Sequence, residues 1–250
     1  MISQLYEVSR RIGDADLVLD VGGWACPFNR ANYVLDGMPW ETRGHYASIG
    51  LPRSQGPETE HFSKETWVAR DVCGPERWPF ADKFFDFAVC AHTLEDVRDP
   101  LFVCAELVRV AKRGYIEVPS RLSESCRGAE RDDMAGLSHH RWLVEIERSH
   151  VRFVQKYHLI HTDFDLSLPK HFLAQLADDQ RVSWLLWEDS FSFEEVWLHG
   201  TDAIYGELRN FVRRYHRYPS YRYWLETMGR ALKRAQRWIA RHAQPRSPHG

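Results

Sequence analysis

A glycine turn between two short apolar runs constrains the fold of this chain more than any other feature. Residues 17–21 are mostly aliphatic and lead into Gly22 and Gly23, the pattern of a buried strand that ends in a tight turn. A second apolar run, residues 33–35, ends in Asp36. Glycines let the backbone approach a ligand, and an acid after the next strand can accept hydrogen bonds from both ribose hydroxyls. The pattern indicates a site for a nucleoside-containing cofactor; the alternative is two core strands joined by a structural turn.

Two common nucleotide-binding motifs do not fit the sequence. A dinucleotide fingerprint requires Gly-x-Gly-x-x-Gly, but Gly22 and Gly23 are adjacent and the next glycine is Gly37. No Gly-Lys-Ser or Gly-Lys-Thr sequence of a P-loop occurs. NAD, FAD and P-loop nucleotides are therefore disfavoured as ligands.

Residues 78–100 carry the most specific pattern in the chain. They read WPFADKFFDFAVCAHTLEDVRDP, in which the apolar run 87–91 is followed by His92. This stretch, together with Asp20 and Gly22, resembles the class I S-adenosylmethionine-dependent methyltransferases, in particular the type 11 group. The first strand of that family typically ends Asp-x-Gly-x-Gly. Here Gly23 is an additional glycine, and Trp24 stands at the second glycine, where it either stacks on a ligand or fills the ligand's space.

The resemblance implies S-adenosylmethionine as the cofactor and suggests which residues contact it. The expected contacts are Asp20, Gly22, Gly23, Asp36, Asp71, Val72 and His92. In the family, an acid at the position of Asp71 and the residue after it commonly contact the adenine. His92 is expected either to line the sulfonium or to act as a base, and the alternative is a histidine that only shapes its loop. His139 and His140 are candidates for substrate contact or catalysis, with a packed or exposed surface role as the alternative.

Regular alternation of strand and helix predicts an α/β fold with a mostly parallel sheet. Asp99 and Pro100 are expected to begin a crossover helix, and Gly114 to end it. We expect a Rossmann-like, doubly wound sheet with a helix over residues 2–12, at most two helical turns after Gly23, and an antiparallel edge hairpin from residues 143–147 and 151–159. Residues 1–165 form the methyltransferase-like domain in this prediction, and residues 166–250 a largely helical C-terminal extension.

Composition excludes several other classes of protein. A formal net charge of −2 provides no field that would recruit nucleic acid. The five cysteines contain no Cys-x-x-Cys pair, so neither a disulfide framework nor a zinc knuckle is expected. We also expect no metal site, because His139, His140, His158 and His161 lack a compact ligand spacing. No signal peptide or membrane span is predicted, and the expected location is the cytoplasm.

A basic segment close to the C-terminus is the remaining unusual feature. Residues 222–246 contain seven arginines and lysines, a single glutamate and several apolar side chains, tryptophan among them. Such a helix can bind an anionic membrane or an acidic protein partner, or it can pack on its own domain. The family resemblance implies a methyltransferase, and we expect it to act on an oxygen or nitrogen of a small molecule or glycan. The alternative is a non-catalytic relative that binds a membrane or protein through this segment, and the oligomeric state stays open.

Overall fold

A six-stranded, mostly parallel sheet forms the centre of the protein. The structure, a computed structural model, describes residues 2–56 and 59–219, together with Tyr221, Met228, Leu232, Ala235, Gln236, Trp238 and Ile239. The sheet contains β1 (Val18–Val21), β2 (Tyr33–Asp36), β3 (Trp67–Ala69), β4 (Phe87–Ala91), β5 (Arg113–Pro119) and β8 (Val182–Glu188), in the order β3-β2-β1-β4-β5-β8. The first five are parallel, and β8 is antiparallel to β5. This arrangement confirms the predicted α/β, Rossmann-like fold class.

A second sheet of three strands lies beside the first. It contains β6 (Trp142–Glu147), β7 (His150–Gln155) and β9 (Ser192–Glu195), in that order. The described helices are α1 (Leu5–Ser9), α2 (Pro100–Val110), α3 (Arg121–Glu124), α4 (Leu159–Thr162), α5 (Lys170–Gln175), α6 (Asp178–Arg181) and α7 (Gly200–Tyr215). Short 3-10 turns occur at Trp40–Thr42, His45–Ile49, Lys64–Thr66 and Phe164–Leu166.

The predicted hairpin is present, but its predicted place in the fold was wrong. Strands β6 and β7 pair antiparallel in the second sheet, and the antiparallel edge of the central sheet is β8. The hairpin is apolar on both faces: Val144 and Phe153 join the cluster that covers the central sheet, while Leu143 and Val154 pack towards α7. The hairpin pairs with β9, and β8 occupies the edge of the central sheet beside β5.

Gly114 makes the pairing of β8 with β5 possible. The prediction that it ends α2 was wrong. A Cβ at this position would lie 2.3 Å from the carbonyl oxygen of Ala88 and 2.8 Å from the indole ring of Trp187, which faces Gly114 in the register. Helix α2 instead ends at Val110, and its start is as predicted, since the Asp99 side chain accepts a hydrogen bond of 2.9 Å from the amide of Phe102.

The connection between β1 and β2 contains no helix, although one or two turns had been predicted. The buried ring of Phe28 packs against the sheet in place of a helix, and the Phe28 amide donates to the Asp20 carboxylate at 2.8 Å. A buried carboxylate therefore organises this loop. Helix α1 likewise covers only Leu5–Ser9 of the predicted residues 2–12.

Alternating side chains of the parallel strands build a core on each face of the central sheet. Leu19, Val21 and Leu35 pack towards α2, whereas Val18 and Val34 pack on the opposite face. The apolar runs of the central strands read as continuous because both faces are covered. The ligand edge, at the carboxyl ends of the strands, is thereby held rigidly from both sides.

Three further predictions concern the second half of the chain. Within the described residues, no helix has both the length and the apolar character that crossing a membrane requires. Residues 222–246 lie almost entirely outside the described residues, so the predicted basic helix stays a prediction. The division of the chain at residue 165 also stays a prediction, although β8, which follows it, belongs to the central sheet.

Candidate active site

A cleft of about 910 Å³ opens at the carboxyl ends of the central strands. Its walls come from the turn after β1, the end of β2 and the loop after β4, and the segments around α3 and before β6 close the far side. Ligand pockets in proteins commonly measure about 300–1,000 Å³. The cleft therefore has the size and the position in the sheet that a cofactor together with a small acceptor requires.

Packing inside the protein explains both glycines of the β1 turn. Gly22 has a φ of +78°, and a Cβ there would lie 2.1 Å from Oγ1 of Thr93. A Cβ on Gly23 would lie 2.2 Å from Oδ2 of Asp20. Gly22 lines the cleft, and Gly23 is buried beneath it. The missing side chains of these glycines therefore make room for Thr93 and Asp20 of the protein itself.

Burial controls the charge of Asp20, the first predicted cofactor contact. Its side chain lies below the turn and does not line the cleft. Desolvation raises the pKa of Asp20 to about 7, against the opposing effect of the hydrogen bond from the Phe28 amide. Its observed contacts are those of a residue that holds the loop.

Asp36 lies at the end of β2 with its carboxylate at the cleft wall. Oδ2 accepts a hydrogen bond of 3.1 Å from the Trp24 amide, and Oδ1 accepts one of 2.8 Å from the Met38 amide. Burial raises the pKa of Asp36, although both amide hydrogen bonds act in the opposite direction. A carboxylate has about four lone-pair sites, so each oxygen retains capacity for a further donor. Gly37 next to it has open space where a Cβ would lie. This part of the cleft fits a ribose with two hydroxyls.

Trp24 forms a wall of the cleft and leaves the cleft open beside it. Its indole nitrogen donates to the carbonyl oxygen of Thr42 at 2.7 Å, and its ring stacks on His45 with a centroid distance of 4.9 Å. The ring is thus fixed in orientation by two independent contacts. Of the two roles considered for Trp24, the structure favours an aromatic surface over a plug.

His92, which is partly buried, forms an ion pair with the buried Glu117 of the neighbouring strand. Nε2 of His92 lies 2.9 Å from Oε1 of Glu117, whose other oxygen accepts hydrogen bonds from the Tyr115 hydroxyl and from the amide and hydroxyl of Ser3. Burial lowers the pKa of His92, but the contacts with Glu117 and Glu95 outweigh burial and raise it to about 9. His92 is therefore an imidazolium at neutral pH and does not accept a proton there.

Glu95 faces the same cleft from one turn further along the chain. It is 1% exposed, and its Oε1 lies 3.6 Å from Nδ1 of His92. Neither of its carboxylate oxygens has a hydrogen-bond partner among the described residues. Asp36, Glu95 and the His92 cation therefore meet at one edge of the sheet, and the acids outnumber the cation.

His139 and His140 approach the cleft from the turn before β6. His140 is buried, with Nδ1 3.0 Å from Oε1 of Glu124, while His139 is exposed. Burial lowers the pKa of His140, but Glu124 outweighs burial and raises it. The second oxygen of Glu124 lies 2.8 Å from the buried Nζ of Lys156. Nε2 atoms of both histidines face the carboxylate of Asp96, at 3.9 and 3.8 Å.

The structure brings six of the nine predicted site residues together. Gly22, Asp36, Val72, His92, His139 and His140 line the cleft. Asp20 and Gly23 lie beneath the β1 turn. Asp71 is exposed and outside the cleft wall, because its carboxylate binds Arg98 at 2.6 Å and the amide of Cys73 at 2.8 Å. The assignment of ligand contacts to these nine residues stays a prediction.

Several polar residues of the cleft had no predicted role in cofactor binding or catalysis. Glu95, Asp96 and Glu124 line the cleft, and Lys156 lies behind Glu124 and contacts it. Asp96 directly follows the His-Thr-Leu-Glu sequence, a signal that was available. Lys156 could not have been found in this way, because it reaches Glu124 only through the pairing of β6 with β7.

Comparison with known proteins finds partial similarity to methyltransferases. A family model described as a methyltransferase domain matches residues 54–116. No curated protein gives a significant sequence match. Among solved structures, a candidate methyltransferase from Bacillus halodurans C-125 is 14% identical, with a TM-score of 0.37 over 74% of this chain and 95% of that chain. A SAM-dependent methyltransferase from Aquifex aeolicus is 19% identical, with a TM-score of 0.28 over 47% of this chain and 65% of its own.

A third solved structure, an S-adenosylmethionine-dependent methyltransferase from Mesorhizobium loti, is 16% identical, with a TM-score of 0.31 over 62% of this chain and 64% of that chain. The chain thus spans less than two thirds of the length of the Aquifex and Mesorhizobium proteins. The segment matched by the family model contains β4, the His92 turn and α2. Within residues 54–116, the family model confirms the resemblance to methyltransferases that residues 78–100 indicated.

Proposed function

We propose that this protein binds S-adenosylmethionine and transfers its methyl group to an oxygen or nitrogen of a small molecule or glycan. The observation that carries the proposal is the Asp36 carboxylate, which lies at the cleft wall with lone pairs available for a ribose. Gly22 and Val72 line the same cleft, as expected for backbone and adenine contacts. The cytoplasmic location predicted from the sequence belongs to this proposal as well.

Methyl transfer requires alignment of the acceptor and removal of its proton. A lone pair of the acceptor forms the new bond to the methyl carbon, and the carbon–sulfur electron pair stays on sulfur. We assign the His92 imidazolium a positioning role, because its pKa of about 9 keeps it protonated. We propose Glu95, whose carboxylate oxygens have no hydrogen-bond partner among the described residues, as the proton acceptor, through direct contact or one water.

Polar groups on the far side of the cleft can bind a polar acceptor. Glu124, His139 and His140 lie there among apolar residues, and their side chains can hydrogen-bond hydroxyl groups. A net charge of −2 does not favour a nucleic acid. The acceptor class, a small molecule or a glycan, is part of the proposal.

One observation favours a second candidate function. The β1 turn carries Trp24 in place of a glycine and leads into a loop without a helix, so no helix N-terminus faces the cofactor from this side. A non-catalytic relative that keeps the fold and binds a membrane or protein partner through residues 222–246 would have this feature. The two candidates differ in whether the cleft binds S-adenosylmethionine.

Calorimetric titration with S-adenosylmethionine and with S-adenosylhomocysteine tests the proposal. We expect binding by the unmodified protein, and a loss of at least about tenfold in affinity for Asp36→Asn, which removes the charged acceptor of the ribose hydroxyls. Asp14→Asn is the matched control, because Asp14 is exposed at the amino end of β1. Absence of binding in folded protein, or equal affinity in Asp36→Asn, would favour the second candidate.

A further inference from the structure

Three potential metal ligands converge on the wall of the cleft. Nε2 of His139 lies 3.9 Å from Oδ2 of Asp96, and Nε2 of His140 lies 3.8 Å from Oδ1. One ligand atom from each of the three residues can be chosen so that all lie within 4.8 Å of one another. Ligands of one tetrahedral ion at about 2.1 Å lie about 3.4 Å apart, so rotations of the side chains bring these three into range.

The local fold explains how two consecutive histidines point the same way. On a strand their side chains would lie on opposite faces, but His139 and His140 belong to the turn before β6, and their ring centroids are 4.5 Å apart. Two backbone hydrogen bonds fix this turn to the loop that carries Asp96. The amides of Arg141 and Trp142 donate to the carbonyl oxygen of Glu95 at 2.7 and 3.1 Å. The two ligand-bearing segments are therefore held together before any ion binds.

Buried polar contacts behind His140 orient its ring. Glu124 lies 3.0 Å from Nδ1, and Lys156 holds Glu124 through a contact of 2.8 Å while also donating to the carbonyl oxygen of Leu137. Glu124 thus places a carboxylate behind the His140 ring, as metal-bound histidines commonly have, and a metal at Nε2 would require the ring to keep its proton at Nδ1. Oδ1 of Asp96 is buried without a hydrogen-bond partner among the described residues. An unsatisfied buried carboxylate oxygen is costly unless a ligand completes it.

We propose that Asp96, His139 and His140 form a binding site for a divalent first-row transition-metal ion, of which Zn²⁺ is the representative, in the wall of the methyl-transfer cleft. Two imidazoles and one carboxylate suit Zn²⁺, Mn²⁺ or Fe²⁺ better than Mg²⁺ or Ca²⁺, which prefer oxygen ligands. Three protein ligands leave at least one coordination position for a ligand from the cleft. His139 is exposed and Asp96 partly so, and the ion is therefore reachable from solvent. The proposal runs against the expectation from sequence spacing that no metal binds.

A catalytic role of the ion rests on the proposed function, whereas its binding does not. A hydroxyl of the acceptor in the open position would lose its proton to the base more easily, because a bound ion would stabilise the alkoxide. The same contact would select acceptors with an accessible oxygen donor. Metal binding by itself does not require S-adenosylmethionine and is therefore tested separately.

The experiment uses the whole chain, free of any tag, treated with a chelator and then titrated with Zn²⁺ by calorimetry, and with Co²⁺ by visible absorption. We expect one equivalent to bind, and the affinity to fall at least about tenfold in Asp96→Asn and in His139→Ala. His199→Ala removes an exposed histidine outside the cleft and is the matched control. Both site variants change partly or fully exposed side chains, so circular dichroism should show them folded.

A third variant, Glu124→Gln, tests the group that orients His140 and should weaken binding by about 10- to 100-fold while Asp96 and both histidines remain. The proposal is overturned if the unmodified protein binds no Zn²⁺, or if Asp96→Asn and His139→Ala bind as tightly as His199→Ala. Titration of the same samples with S-adenosylmethionine separates the two proposals. Loss of metal binding with intact cofactor binding refutes only the metal site, and the reverse result refutes only the methyl-transfer function.

Discussion

Replacing His92 with asparagine should remove a pH dependence of stability that the ion pair with Glu117 creates. The native pKa of His92 is about 9 and the reference value is 6.5, so the folded protein holds this proton more tightly than the unfolded chain. At about 1.4 kcal/mol per pH unit, the shift corresponds to about 3 kcal/mol. The stabilisation is complete below pH 6.5 and is lost as the pH rises through about 9.

The choice of asparagine isolates the charge. His92 has a φ of +53°, in the left-handed region, which asparagine adopts more readily than most residues. Urea unfolding between about pH 6 and pH 10 should show the His92→Asn variant less stable than the unmodified protein by about 3 kcal/mol at the acid end, with the difference shrinking towards the alkaline end. The exposed His199→Asn variant should show no such trend. A difference that is the same at both ends would refute the imidazolium–carboxylate pair, and with it the positioning role of His92.

Three further substitutions test the turn after β1, the buried Asp20 and the cap of α2. Gly22→Ala should destabilise the protein by about 2–3 kcal/mol more than Gly200→Ala in urea unfolding. Both positions have a positive φ, but only at Gly22 would a Cβ meet the side chain of Thr93. Equal losses of stability in the two variants would contradict this explanation. The pKa of Asp20 is about 7 in the folded protein against a reference value of 3.8, so its contribution to stability is lost as the pH rises through about 7. The stability of Asp20→Asn relative to the unmodified protein should therefore increase by up to about 4 kcal/mol from acid to alkaline pH. The same pH dependence of unfolding free energy in both proteins would refute the raised pKa of the buried carboxyl. Asp99→Ala should cost about 1 kcal/mol by removing the cap of α2, with Asp99→Ser largely restoring stability in thermal unfolding.

Local patterns in the sequence were sufficient for the parallel strands and for one helix. Residues 87–91 were predicted as a strand and form β4 without a shift, because a short apolar run between turn residues has few alternatives. Asp99 and Pro100 start α2 as predicted, since capping depends on the nearest four residues. The antiparallel edge could not be placed in this way. Its strand, β8, depends on the room that Gly114 leaves for Trp187, and these residues are far apart in the chain.

In the candidate site, too, local sequence patterns predicted the positions of residues but not their long-range partners. Gly22, Asp36 and His92 directly follow strands or end them, and the carboxyl ends of parallel strands meet at one edge, so their proximity was predictable. The charge of His92 was not, because it depends on Glu117, one strand across in the sheet. A histidine after a strand predicts a base or a ligand contact equally well, and only the buried partner decides between them.

The absence of a helix after β1 affects which part of the cleft can bind a cofactor. A loop fixed by Asp20 offers a cofactor no helix dipole, so under the proposed function binding depends more heavily on Asp36 at the end of β2. The proposed proton acceptor, Glu95, lies in the loop after β4, and two backbone hydrogen bonds hold the turn of His140 against that loop. If this division is correct, substitutions at Asp36 should weaken cofactor affinity while leaving metal affinity intact, and substitutions at Asp96 should do the reverse. Coupled losses at both positions would instead mean that the two walls act as one binding unit.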